Sequence, residues 1–236
     1  MFLGQARTPP DTRLYVIGDV HGMDDLLASA HAAIAADLAA RPAPDHRIIH
    51  LGDYVDRGPA SASVVDRLAR LSLHDSHVIC LRGNHDDMLL AFLADPGRIG
   101  PDFLANGGGE TLRSYGVTGP EYDPADLARR LAAAMPARHS DFLRGLAHSA
   151  RFGDFFFCHA GVRPGVELDR QTQEDLTWIR EPFLSDRRDF GAVVVHGHTP
   201  VREPEVRPNR INLDTGAVFG RRLTTLALDG AAHRFL

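Results

Sequence analysis

The sequence predicts an α/β fold with a ligand site at the carboxyl ends of its strands. Three observations carry this. Short apolar runs recur along the 236 residues, each ending at a glycine-bounded turn. The first three are followed by segments with helical spacing, giving three strand–loop–helix units in a row. Each of those three turns carries Asp, His or Asn beside glycine, where open α/β sheets bind ligands.

Leu14-Tyr15-Val16-Ile17 reads as a buried strand ending at Gly18-Asp19-Val20-His21-Gly22. Leu27, Ala30, Ile34 and Leu38 then recur at helical spacing, and the helix stops before Pro42 and Pro44. Strand Arg47–Leu51 leads into Gly52-Asp53-Tyr54-Val55-Asp56-Arg57-Gly58. Ser61 or Ser63 can cap the next helix, with Val64, Leu68 and Leu71 on one face. His77–Leu81 is the third strand, ending at Arg82-Gly83-Asn84-His85-Asp86, and an apolar helix runs from Met88 to Leu93.

The middle, about 95–148, has few acid or histidine clusters and reads as a helical cap, with helices at Leu127–Met135 and Phe142–Ala147 and a turn at Asn106–Gly109. Phe155–Cys158 is a strand ending at His159-Ala160-Gly161, and Val193–Val195 is another, ending at His196-Gly197-His198-Thr199. The tail, with Ile211, Leu213 and Leu223 to Leu228, suggests antiparallel strands. One domain is expected over 12–236, with the cap as an insertion and 1–11 as a loose leader.

Composition narrows the function. A net charge of −5 gives no reason to expect nucleic acid or anionic membrane as partner. No apolar run reaches the roughly 18 residues of a membrane helix, and the start lacks a signal-peptide layout. Cys80 and Cys158 lie within apolar strands and read as buried free thiols, so a reducing cytoplasm is expected. Five strand ends together offer imidazole, carboxylate and amide oxygen, a donor set suited to Mn²⁺, Fe²⁺ or Zn²⁺ and large enough for two ions.

The three early motifs resemble the signatures of the phosphoprotein-phosphatase branch of the metallophosphoesterases, and His159-Ala160-Gly161 and Gly197-His198-Thr199 resemble its two later ones. Asn106-Gly107-Gly108 and Asp175-Leu176-Thr177-Trp178-Ile179-Arg180 are similar to segments of its bacterial and phage members, which are related to symmetrical diadenosine tetraphosphate hydrolases. The resemblance implies two mixed sheets packed face to face, with helices outside and a helical cap. It implies that Asp19, His21 and Asp53 hold one metal ion and that Asp53, Asn84, His159 and His198 hold a second, most simply Mn²⁺. A hydroxide bridging the ions would attack phosphorus. His85, oriented by Asp56, would protonate the leaving oxygen, while Arg57, Arg180 and Asn84 contact substrate.

The expected activity is hydrolysis of phosphomonoesters, first on phosphoserine or phosphothreonine proteins, with phosphotyrosine or small phosphorylated molecules also in reach. The alternatives are a symmetrical diadenosine tetraphosphate hydrolase and a phosphopeptide- or nucleotide-binding module without catalysis. Asp56 favours the phosphatase, and no obvious pair of aromatics stands ready for adenine. Two departures stand out: Asp86 replaces a usual Glu and Ala160 a usual Gly. The regulatory-subunit surface of the eukaryotic members has no counterpart. Arg180 could instead pair with Glu181 or Asp175, and Trp178 reads as core. His196 reads as a core residue, Arg82 as an ion-pair partner, and Asp214-Thr215-Gly216 as a turn near the site.

Overall fold

A computed structural model of the protein describes residues 1–118 and 123–236. Strands β1 (Thr12–Ile17), β2 (Asp45–His50) and β3 (Val78–Cys80) alternate with helices α1 (Asp24–Ala40), α2 (Ser61–His74) and α3 (Asn84–Ala94). Helices α4 (Pro96–Ala105), α5 (Gly108–Ser114), α6 (Pro124–Ala134) and α7 (Ala137–Gly145) follow. The second half holds β4 (Ser149–Phe152), β5 (Phe155–Cys158), α8 (Gln173–Trp178), β6 (Val193–His196), β7 (Glu205–Val206), β8 (Arg210–Asn212), β9 (Thr225–Asp229) and β10 (Ala232–Phe235).

These strands form two five-stranded mixed sheets, ordered β10-β9-β1-β2-β3 and β4-β5-β6-β8-β7. In the first, β1, β2 and β3 are parallel, while β9 and β10 are antiparallel additions. In the second, β5, β6 and β8 are parallel, and β4 and β7 close the edges antiparallel. The tail is thus only partly as expected: β9 is antiparallel, but β8 joins β6 in parallel.

Strand alternation explains why the strands read as unbroken apolar runs. Leu14 and Val16 of β1, Phe155 and Phe157 of β5, and Val193 and Val195 of β6 share one buried core between the sheets. Their neighbours face outward and are buried as well. Tyr15 and Ile17 meet Leu27, Ile34, Val64 and Leu68 from α1 and α2, whereas Phe156, Cys158 and Val194 meet Ile179 and Phe183. A strand covered on both faces loses its period-2 signature. Phe103, Leu112, Leu127 and Leu131 of the cap join the same cluster as Tyr15 and Ile17, so cap and first sheet share one core. Both cysteines are buried and free.

Two expectations fail here. The leader is packed rather than loose: Ala6 is buried, and Arg7 N–H donates to Asp154 at 3.0 Å. Ser61 opens α2 without capping it, and its hydroxyl instead accepts from Asp56 N–H at 3.2 Å.

The buried stripe of α1 also includes Asp37, whose carboxylate accepts from the Tyr15 hydroxyl at 2.6 Å and pairs with Arg41 and Arg234. Burial alone would raise its pKa, but the hydrogen bonds from Tyr15, Arg234 and Arg41 outweigh it and hold the group down to about 2. A carboxyl depressed on folding stabilises the fold above its ordinary pKa and loses that contribution as pH falls toward the folded value. Asp37→Asn should therefore cost about 2 kcal/mol at pH 7, with the difference from wild type shrinking between about pH 4 and pH 2. Urea denaturation across that range measures it, and a pH-independent difference would contradict it.

Candidate phosphoester hydrolysis site

The five motif turns converge at one edge of the sandwich, and their backbone is unusual. Six non-glycine residues among those described have positive φ, and five are His21 (43°), Asp53 (54°), Asp56 (70°), Arg57 (67°) and His198 (66°). Strained backbone of this kind persists only where surrounding contacts impose it. Asp86 supplies much of that imposition, since its carboxylate accepts from the N–H groups of Asp53 (2.9 Å), Tyr54 (3.0 Å) and Gly83 (2.9 Å). The residue that stands where the eukaryotic members usually have Glu thus holds the second motif turn against the third.

Glycines make room for the acids. A Cβ on Gly197 would lie 1.9 Å from Asp19 Oδ1, and one on Gly83 would lie 2.2 Å from Asp53 Oδ1.

Asp53 is central. Its Oδ1 lies 3.4 Å from His159 Nε2 and accepts from His85 N–H at 3.0 Å, while Oδ2 lies 3.3 Å from His21 Nε2. Asn84 Oδ1 sits 2.9 Å from His159 Nε2 and 2.8 Å from His198 Nδ1. His21 Nδ1 and His159 Nδ1 donate to the carbonyls of Val55 (2.8 Å) and Leu51 (3.0 Å), which fixes both rings. Asp19 accepts from His198 N–H at 2.9 Å through Oδ2.

Two groups of ligating atoms result, His21–Asp53–His85 and Asp19–Asp53–His159. The family resemblance divides the ligands otherwise, with Asp19, His21 and Asp53 on one ion and Asp53, Asn84, His159 and His198 on the other; Asp53 is shared in both divisions.

Without a cation this cluster is electrostatically mismatched. Burial, reinforced by Asp214 and Asp53, pushes Asp19 well up. Burial drives His21 down to about 3 and, helped by His159, His198 to about 2. Asp53 goes the other way: burial would raise it, but the surrounding imidazoles hold it low. Asp19 Oδ1 and His198 Nε2 are buried without a hydrogen-bond partner among the described residues. Neutral imidazole nitrogens, carboxylates and an amide oxygen around unpartnered acceptors fit divalent cations.

His85 Nδ1 donates to Asp56 Oδ2 at 2.8 Å, and both residues are buried. Arg57 Nη1 lies 2.9 Å from His21 Nε2, and its guanidinium sits 6.0 Å from the Phe219 ring. Arg180 is exposed and pairs with neither candidate partner: Asp175 is held by Arg163 at 3.0 Å, and Glu181 accepts from Ser185 at 2.6 Å. Its charge reaches His198 and Asp214. Arg82 is an ion-pair partner of Asp87 at 3.0 Å, and buried His196 bonds to its neighbour Gly197, as read from sequence.

Several contributors escaped the sequence. Asp214 is buried within reach of the charges of Asp19 and Asp53, and burial pushes it up to about 6. Thr111 of the cap reaches Asp56 at 2.7 Å. Trp178 is 44% exposed rather than core, 6.1 Å from the His198 ring, beside a cavity of about 250 Å³ lined by Met88, Ala91 and Ile99. With Phe219, 59% exposed at Arg57, it gives the site two aromatic flanks that the sequence did not reveal. Asp214 stood in a short turn motif and Trp178 in the segment Asp175–Arg180, where it was read as core; Thr111 and Phe219 carried no local signal.

Asp86→Ala would leave three buried N–H groups unsatisfied. It should destabilise the protein by about 3 kcal/mol or more, measured by urea denaturation. A loss below about 1 kcal/mol would mean that the second motif turn holds without it.

A sequence profile for the calcineurin-like phosphoesterases matches residues 12–222. A protein of Anoxybacillus flavithermus named asymmetrical bis(5'-nucleosyl)-tetraphosphatase PrpE is 29% identical, over 89% of this chain and 88% of its own. A solved structure provisionally described as a diadenosine tetraphosphatase superposes with a TM-score of 0.70 at 22% identity, covering 98% of this chain and 97% of its own. A cold-active protein tyrosine phosphatase superposes with a TM-score of 0.63 at 17% identity, covering 99% and 82%.

Proposed function

Because this chain belongs to the calcineurin-like phosphoesterase family and is a metal-dependent phosphoric ester hydrolase, we propose that it hydrolyses phosphomonoesters with two divalent ions, most simply Mn²⁺. The observation that carries this reading is the buried His85–Asp56 pair. A proton donor matters most when the leaving oxygen is a poor leaving group, as in alkyl esters such as phosphoserine. In a phosphoanhydride the departing phosphate is already stable as an anion.

Asp19, His21, Asp53, Asn84, His159 and His198 are the residues that would hold the ions. Divalent ions bound there lower the pKa of water and neutralise charge on the phosphoryl oxygens. The chain's own groups do the rest. Arg57 and Arg180 bind phosphate oxygens, and their planar forks orient the ester. Asp56 keeps the His85 ring turned so that Nδ1–H points at the carboxylate, leaving Nε2 as the nitrogen that delivers the proton. As the oxygen of water bonds to phosphorus, the ester P–O bond breaks and the proton on Nε2 goes to the leaving oxygen. The products are an alcohol and inorganic phosphate.

A second reading is favoured by the two aromatic flanks and by the name of the Anoxybacillus relative: a nucleoside polyphosphate whose bases stack on Trp178 or Phe219. That relative is named for asymmetrical cleavage, so the symmetrical dinucleotide hydrolase is not the activity it suggests. The two readings part in one assay with Mn²⁺. A phosphoserine peptide, p-nitrophenyl phosphate and diadenosine tetraphosphate are compared by kcat/KM. The first reading expects turnover of both monoesters. Dinucleotide cleavage far above either monoester, yielding ATP and AMP, would overturn it. No turnover of any of them with any divalent ion would instead point to a binding module.

A further inference from the structure

Asp56 can orient His85 only if its own carboxylate is held. The terminal torsion of an Asp is broad, so one contact at Oδ2 leaves the group free to swing. The second oxygen is engaged by the cap. Thr111 Oγ1 donates to Asp56 Oδ1 at 2.7 Å and accepts from Asp56 N–H at 2.9 Å. One hydroxyl thus grips both ends of a residue at φ 70°, a conformation that non-glycine residues avoid. Ser61 Oγ stands 3.3 Å from the same hydroxyl. Thr111 and Asp56 are fully buried and His85 nearly so, so water does not substitute for these contacts. As a β-branched residue, Thr111 is stiff at its first torsion, so its hydroxyl is a fixed point. Four residues earlier in the same segment, the Gly107 carbonyl accepts from Arg57 N–H at 3.1 Å.

We propose that Thr111 is a positioning residue for the hydrolysis, through which the cap fixes Asp56 and thereby sets the His85 ring for proton delivery. The inference rests on the reading of His85 as proton donor, and its test separates the two. A structural prop would affect all substrates alike, whereas a residue that acts through the proton donor affects substrates according to how much their leaving oxygen needs a proton.

The experiment compares p-nitrophenyl phosphate, whose phenolate leaves readily, with an alkyl phosphate such as phosphoserine, for wild type, T111V, T111S and H85N with Mn²⁺. T111V should lose about 10-fold more kcat on the alkyl ester than on the aryl ester, with KM within about 2-fold of wild type. T111S keeps the hydroxyl and should return the ratio toward wild type. Equal losses on both esters, no loss on either, or T111S behaving like T111V would each overturn the inference. If H85N itself shows no preference between the esters, the proton-donor reading fails and this inference with it. If H85N discriminates and T111V does not, only the role of Thr111 falls. If T111V does not fold, T111A set against T111S is read by the same ratio.

Discussion

Asp53→Asn should lower kcat for p-nitrophenyl phosphate by on the order of 10³-fold and reduce the divalent metal bound per chain. The two oxygens of Asp53 face different imidazoles, His159 at 3.4 Å and His21 at 3.3 Å, and among the described residues Asp53 is the one shared by both candidate ligand groups. An Asn keeps the shape but turns one acceptor into a donor and removes the charge. Burial already opposes that charge, and the surrounding imidazoles together with the His85 N–H favour it, so the group is set up to meet cations. The backbone should survive, because Asp86 holds the Asp53 and Tyr54 N–H groups independently of the Asp53 side chain. Metal analysis together with steady-state kinetics checks the prediction. Full metal content with wild-type turnover would remove Asp53 from the centre of the site.

His85→Asn should lower kcat by about 10²–10⁴-fold while metal content stays at the wild-type level. The structure sharpens this test, because His85 also lies within ligating distance of His21 and Asp53. A donor and a ligand would look alike in activity alone. Metal analysis distinguishes them: a His85→Asn protein that has lost an ion marks the ring as a ligand. The geometry supports a donor, since Asp56 Oδ2 at 2.8 Å takes Nδ1–H and leaves Nε2 for the leaving oxygen. The expected loss should be larger on alkyl than on aryl esters.

Much of this was open to reading from the chain. The apolar runs and their glycine-bounded ends are local features, and strand-end turns in an α/β sheet must fall along one edge. Hence Asp19, Asp53 and Asn84 could be placed along one sheet edge from order and spacing, whereas the family resemblance joined His159 and His198 to them. Tight turns also leave a mark, because only Gly fits where a Cβ would strike Asp19 or Asp53. The pairing of two sheets face to face was implied by the family resemblance rather than by this pattern, although central strands such as β5 and β6, apolar at nearly every position, do call for cover on both sides.

The remainder depended on contacts between distant segments. Thr111 lies 55 positions from Asp56, and although Asn106-Gly107-Gly108 stands just before it, that motif does not single out the threonine. Trp178, at the end of α8, and Phe219, after β8, are set beside His198 and Arg57 by how those segments pack, so composition could not tell a core tryptophan from an exposed one. The N-terminal residues looked unstructured because short irregular segments have no period, yet Ala6 is buried against the inter-sheet core. The sequence by itself determined the sheet edge and the donor types that gather there, because periodicity and glycine placement are local properties of a chain. Only the tertiary structure decided which of those groups touch, which cap residue holds the Asp56–His85 pair, and which aromatics flank the site, because those depend on distances that no local pattern records.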